Sequence, residues 1–275
     1  PGRFSVAEVV GPDAEPEMQA FTSDDRHLNS AYGFSYLYAD ELTPALVRRA
    51  DAAWDGRPGQ GWPAWAFCNH DAPRAVSRWA KGRDPDRFAR MAMLLLLSLR
   101  GNVFLYQGEE LGLPQAEVPF DRLVDPEAIA NWPETLGRDG ARTPMPWRAD
   151  APHAGFSTAE PWLPVDPRHP PLAVDRQDPD EGSILNLTRR LVALRKREAA
   201  LRLGSLRFLD APEPLLAFER AHGGDVLTCV FNLGHETVVW TPAGEIAPLE
   251  TVNAAGADPA VIAPLTGRIG RRRAI

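Results

Sequence analysis

Cysteine is nearly absent: Cys68 and Cys229 are the only two among 275 residues and lie far apart. That count supports neither a disulfide framework nor a cysteine metal cluster, and it fits a reducing, cytoplasmic setting. Neither cysteine sits in a motif with a catalytic partner, so both read as packing residues. Long apolar runs are missing as well. The longest, Met91 to Leu99, suits a buried helix and falls well short of the roughly 20 residues of a membrane span, so no membrane partner is expected. Positive charge is also in deficit: 30 Lys and Arg against 37 Asp and Glu give −7, with no basic face large enough for nucleic acid. The basic end, Arg268 and Arg271 to Arg273, reads as a short solvated tail. An initiator methionine is lacking too. The sequence starts at Pro1, so a fragment of a longer chain is expected, and any signal peptide would lie outside these residues.

What is present is alternation. Phe4 to Val10, Ser30 to Tyr38, Trp62 to Cys68 and Gly101 to Tyr106 read as strands; Pro44 to Trp54 and Arg83 to Leu99 read as helices. Strands spaced by helices imply βα units on a parallel sheet. From about 112 to 182 proline is dense, periodicity vanishes and Trp132, Trp147 and Trp162 are scattered. A loop of that length is functional or linker-like, and its tryptophans argue that it packs on something. Ser183 to Ala200 restores an amphipathic helix, with Ile184, Leu187, Leu191 and Leu194 on one face. After Gly204 the pattern changes to short strands, including a hairpin turning at Gly223-Gly224-Asp225. Two domains follow from this reading: 1–203, and an antiparallel β-sandwich over 204–275.

Chemistry concentrates at strand ends. Glu8, Asp71 and the pair Glu109-Glu110 each end a predicted strand, the rim where parallel α/β folds bind ligands. Asn69-His70-Asp71 stands out, because a mostly apolar strand runs straight into it and Arg74 and Arg78 lie close enough to pair with Asp71. Two readings stand at this point. Asn69 and Asp71 either cap a helix beside a core histidine, or the three side chains share a cleft.

Three motifs bear on that choice. Phe67-Cys-Asn-His-Asp-Ala-Pro-Arg74, with Ala75-Val-Ser-Arg-Trp79 after it, resembles the strand-seven motif of glycoside hydrolase family 13, the α-amylase family, in its α-glucosidase branch. Tyr106-Gln-Gly-Glu-Glu-Leu-Gly112 resembles the end of strand eight, and Gly137-Arg-Asp-Gly-Ala-Arg-Thr-Pro-Met-Pro-Trp147 is similar to a long-loop signature of the same branch. The resemblance implies an α/β fold: the later half of a (β/α)8 TIM barrel, strands five to eight, followed by the β-sandwich. It implies Glu8 as general acid/base, Asp71 as the carboxylate that stabilises the transition state, and His70, Arg138 and Arg142 as contacts to the sugar. Phe4, Val6, Val9 and Val10 around Glu8 would suit an acid that holds its proton.

One element of the family pattern does not occur. A Gly-Phe-Arg-x-Asp motif, which carries the family's nucleophile at strand four, is nowhere in the sequence. The expectation is therefore a fragment of a retaining α-glucosidase, acting on oligosaccharides or α-glucosides as a whole protein and inactive by itself. A glucosyl-transferring or isomerising relative and a non-catalytic binding subunit are the alternatives. No cofactor or metal ligand set is expected in these residues; a calcium site, if the family supplies one, would precede them. The sequence is silent on oligomeric state.

Overall fold

The computed structural model describes residues 3–11, 13–23, 27–54, 61–135 and 137–273. The chain forms two compact units, one of residues 1–66, 90–104 and 191–275, the other of 67–89 and 105–190.

The first unit begins with β1 (Val6–Glu8), α1 (Ala14–Thr22), β2 (Ser30–Tyr32), α2 (Pro44–Ala52) and β3 (Ala64–Ala66). After α3 (Ala75–Ala80) and α4 (Pro85–Ser98) comes β4 (Asn102–Phe104). β1 pairs with β2 and β3 with β4, both in parallel. Alternate strands meet through their side chains: Asn102 Nδ2 of β4 donates to Ser30 Oγ of β2 (2.9 Å), and the Tyr32 and Phe104 rings lie 5.5 Å apart. Layers built from alternate strands are how a closed parallel barrel fills its interior.

All four strands are shorter than their apolar runs suggest. Ser30 to Tyr38 yields only three strand residues; just past them Met18 of α1 packs beside Gly33, where a Cβ would come 2.8 Å from the Met18 methyl. Local signals set the helices. In α2, Thr43 Oγ1 accepts from Leu46 N (3.1 Å) and Pro44 opens the first turn. Met91 to Leu97 are all buried, so the apolar run is a core helix as expected. No helix of the described residues is long and apolar enough to cross a membrane.

In the second unit, the described part of 105–183 is mainly irregular loop interrupted by single 3-10 turns, with α5 (Pro126–Ala130) and α6 (Val174–Gln177). They close on a small core of Leu111, Leu113, Met145 and Leu185. Asp–Arg clamps take the place of periodic structure: Asp166 accepts from Arg168 Nε (2.9 Å) and Nη2 (2.7 Å). The tryptophans do not pack as expected. Trp132, Trp147 and Trp162 are 41%, 49% and 62% exposed, and Trp132 leans on Phe120 at 5.5 Å.

α7 (Ile184–Arg197) buries the four residues named for its inner face and is followed by α8 (Ala199–Leu203). Then come β5 (Ser205–Phe208), β6 (Leu215–His222), β7 (Asp225–Asn232), β8 (Val238–Val239), β9 (Ile246–Val252), β10 (Val261–Ile262) and β11 (Gly267–Arg272). Five of them form an antiparallel sheet in the order β5-β6-β7-β11-β9, while β8 and β10 pair separately. Leu215, Ala217 and Val230 on one sheet face meet Ile262, Val238 and Trp240 of that ribbon, giving two layers. The predicted hairpin is present, with His222 opposite Asp225.

The basic end is not a solvated tail. It is β11, hydrogen-bonded on both sides, to β7 and to β9. Its few apolar residues hid the strand, and carboxylates make the arginines tolerable there: Arg271 meets Glu198 (2.5 Å) and Asp225 (3.3 Å), and Arg272 meets Glu219 (3.0 Å).

Arg220 supplies the other ordering contact of this region. Buried in β6, it donates to the carbonyls of Ser98 (2.6 Å), Gly204 (3.0 Å) and Ser205 (3.2 Å). Burial pushes its guanidinium down to about 9. Arg220→Met leaves three enclosed carbonyls without a donor, so unfolding by urea should show a loss of about 2–3 kcal/mol.

Candidate active site

The second unit holds the best-defined cluster. Beyond β3, Asn69 Oδ1 accepts from the amides of Asp71 (2.9 Å) and Ala72 (2.7 Å), which turns the chain sharply and points the Asp71 side chain off the loop. Asn69 therefore closes a turn and caps no helix, since α3 begins only at Ala75, after Arg74. His70 is not a core histidine either: its side chain is 51% exposed.

Three cationic or ionisable groups converge on one oxygen of Asp71. Arg142 Nη2 lies 2.5 Å from Oδ1, His70 Nε2 3.5 Å and Arg138 Nη1 3.7 Å. Arg142 also donates through Nε to the His70 carbonyl (2.9 Å), which ties the long loop to the motif. No described residue donates a hydrogen bond to Asp71 Oδ2, and the side chain keeps 25% of its surface exposed. One oxygen is held and the other is available to a ligand.

Arg138 is itself fixed from behind. Its Nε and Nη2 grip buried Asp125 at 3.0 and 2.8 Å, a two-point contact, and its amide donates to the same carboxylate (2.8 Å). Those bonds from Arg138 hold the Asp125 carboxyl well below the usual carboxylate range. Asp139 Oδ2 in turn accepts from the amides of Val124 (2.7 Å) and Asp125 (2.8 Å). Sequence reading missed Asp125. The signal was local: an Asp-Pro pair that opens α5, with Asp125 accepting from Glu127 N.

Arg74 does not pair with Asp71. It turns inward, fully buried, and donates to the carbonyls of Gln107 (2.7 Å) and Ala141 (3.2 Å), beneath the Tyr106 ring. Tyr106 Oη donates to the same Ala141 carbonyl (2.9 Å). Two donors therefore anchor the residue next to Arg142. Gly108 makes room for this packing: at φ +85° it occupies the left-handed region, and a Cβ there would fall 2.8 Å from Arg74 Nη1. Arg78 donates to the Phe67 carbonyl (2.6 Å) and lies over Trp79.

Glu109 has a structural position. Its carboxyl is half-buried, accepts from Tyr106 N (3.1 Å) and lies against Cys68. Burial lifts it from 4.5 to about 7; the Tyr106 amide, Cys68 and Arg74 oppose the rise, and Glu110 adds to it. A folded-state value above the unfolded one means the folded protein keeps a proton that the unfolded chain releases. Stability from this group is complete below pH 4.5 and is lost as pH rises to about 7. Glu109→Gln should remove a decline of roughly 2–3 kcal/mol between pH 4.5 and 7.5, read as a flatter profile of unfolding midpoint against pH. Cys68 beside it is a buried free thiol.

Glu8 belongs to the first unit, at the end of β1. Tyr32 Oη donates to its Oε1 (3.0 Å). The apolar enclosure expected around it is not formed: Phe4 and Val10 are 65% and 71% exposed, Val6 is exposed, and of the four only Val9 is buried. A strand of three residues is too short to fold those side chains over the carboxyl. Among the described residues no group of three His, Cys, Asp or Glu is placed to hold a metal ion.

The catalytic-domain model of the alpha-amylase family matches residues 12–204. The chain belongs to the α-amylase family. Among curated proteins, this family member is 43% identical to a probable alpha-glucosidase of Rhizobium meliloti, over 91% of the chain and 46% of that protein. It is 32% identical to an oligo-1,6-glucosidase of Halalkalibacterium halodurans, over 83% of the chain and 46% of that protein. The crystal structure of an alpha-glucosyl transfer enzyme superposes with a TM-score of 0.91 at 39% identity, covering 99% of the chain and 51% of that enzyme. A trehalulose synthase variant gives 0.85 at 25% identity, over 98% of the chain and 56% of that protein. The chain spans about half the length of the relatives it matches. Its parallel strands are those of the later half of a (β/α)8 barrel, and its five-stranded antiparallel sheet is the β domain that follows it.

Proposed function

We propose that the protein is part of a retaining α-glucosidase that releases terminal non-reducing glucose from short oligosaccharides or α-glucosides. The observation that carries this reading is Asp71, one oxygen clamped by His70, Arg138 and Arg142 and the other unengaged. A carboxylate presented in that way can balance positive charge as it develops at an anomeric carbon, where fixed charges are most effective. Glu8 protonates the departing glycosidic oxygen and afterwards takes a proton from water. His70, Arg138 and Arg142 hold sugar hydroxyls. The attacking carboxylate is not among these 275 residues, which lack a Gly-Phe-Arg-x-Asp motif, so by themselves they are expected to turn nothing over. The reaction written this way calls on carboxyl groups and no cofactor.

Glucosyl transfer is a second reading, supported by the 39% identity to an alpha-glucosyl transfer enzyme. Both readings share the covalent glucosyl intermediate and differ in whether water or a sugar hydroxyl accepts from it. The deciding experiment gives the full-length polypeptide p-nitrophenyl α-glucoside, maltose, isomaltose and sucrose, and separates the products. Free glucose as the main product supports hydrolysis, and new disaccharides support transfer. Absence of turnover on all four removes both readings and leaves a binding role.

A further inference from the structure

Over one face of the antiparallel sheet lies a cleft of about 590 Å³. Thr228 of β7 and Gly270 of β11 stand opposite each other in its floor, and Arg268, two residues along β11 on the same face, borders it. Trp240 and Ile262 line the side formed by the β8–β10 ribbon, and Thr251 of β9 lies opposite Arg268. The hollow has a local cause. Gly270 offers no side chain to cover Thr228, and a Cβ at that position would collide with Ile246.

The lining is mostly apolar, with two polar features that the fold leaves incompletely used. Arg268 is half-buried, and its guanidinium donates only to the Pro259 and Val261 carbonyls, the latter at 3.1 Å. No described carboxylate comes within ion-pair distance of it; Asp258 acts on it from farther off, while burial lowers its pKa. Glu245, also at the cleft, is engaged by Arg273 at 2.5 Å. The second feature is the Thr228 hydroxyl, which is buried and has no hydrogen-bond partner. Diagonal neighbours on one sheet face are within reach of a long side chain, so one small group can meet both Arg268 and Thr228.

We propose that this cleft binds a small amphipathic anion: a flat apolar body resting against Trp240 and Ile262, with one carboxylate directed at Arg268 and Thr228. A saccharide fits less well. Its hydroxyls point outward all round and each loses water on entry, and apolar walls return few hydrogen bonds for that loss. An aromatic carboxylate places its single charge where the cleft holds its single uncompensated cation, and its ring where the walls are apolar.

The test is ligand-detected NMR and calorimetry on the protein with 2-naphthoate, beside neutral 2-naphthylmethanol and maltose. Saturable binding of 2-naphthoate is expected, at least about tenfold tighter than the neutral alcohol, weakened about tenfold in Arg268→Gln and measurably in Thr228→Val. Thr228→Val is nearly isosteric and keeps the apolar packing, so it reports on the site even where Arg268→Gln fails to fold. No saturable binding to the folded protein overturns the proposal. Equal binding of acid and alcohol overturns it too, because the cleft would then be only an apolar crevice. Displacement of 2-naphthoate by maltose would make it a saccharide site instead. None of these outcomes depends on the hydrolytic reading.

Discussion

In the full-length polypeptide, Asp71→Asn should lower kcat for p-nitrophenyl α-glucoside by about a thousandfold while KM changes only a few-fold. Asparagine keeps the shape of the side chain and an oxygen that accepts from Arg142, so the loop keeps its anchor through Arg74, Tyr106 and Ala141. What disappears is one negative charge in the cluster, leaving Arg142 without a carboxylate while Arg138 keeps Asp125. An oxocarbenium-like transition state would then form beside uncompensated positive charge. The loss belongs to the transition state and not to the bound substrate, hence the split between kcat and KM. A fall of less than tenfold would remove Asp71 from the chemistry and reduce the cluster to a structural clamp.

Glu8→Gln should produce a different signature. An acid that protonates the leaving oxygen is worth about 10²–10⁴-fold when the leaving group is a sugar. p-Nitrophenolate departs without a proton, so the same variant should lose far less kcat/KM on the aryl glucoside than on maltose, while kcat falls on both because the water step also needs Glu8. Asp71→Asn should show no such dependence, because charge stabilisation is needed whatever the leaving group. Glu8 is exposed at the end of β1, with Tyr32 Oη on Oε1. Equal losses of kcat/KM on both substrates would exclude Glu8 as the acid.

Sequence patterns alone determined much of this protein. Alternating apolar runs and helical stretches indicated the parallel strands, Met91 to Leu97 indicated a core helix, and Gly223-Gly224-Asp225 marked the hairpin. These are local properties, set by the period of apolar residues and by backbone preferences, and short windows carry them. The residues from Asn69 to Arg74 drew attention to one strand end, but by themselves they left a helix cap and a shared cleft equally open, and only the family resemblance favoured the cleft.

Tertiary structure decided which charges meet. Arg74 is three residues from Asp71 in sequence yet serves Gln107 and Ala141, while Arg138 and Arg142, some seventy positions on, reach the carboxylate. Asp125 was invisible as a partner until the long loop folded back on it, and Arg271 and Arg272 are accommodated in β11 by Glu198, Asp225 and Glu219, which the fold brings to them. Charge pairing acts through space and is indifferent to sequence order, and long flexible side chains such as arginine can take partners on any nearby element. Apolar periodicity states where a chain turns inward. Only the folded chain fixes which carboxylate each arginine finds.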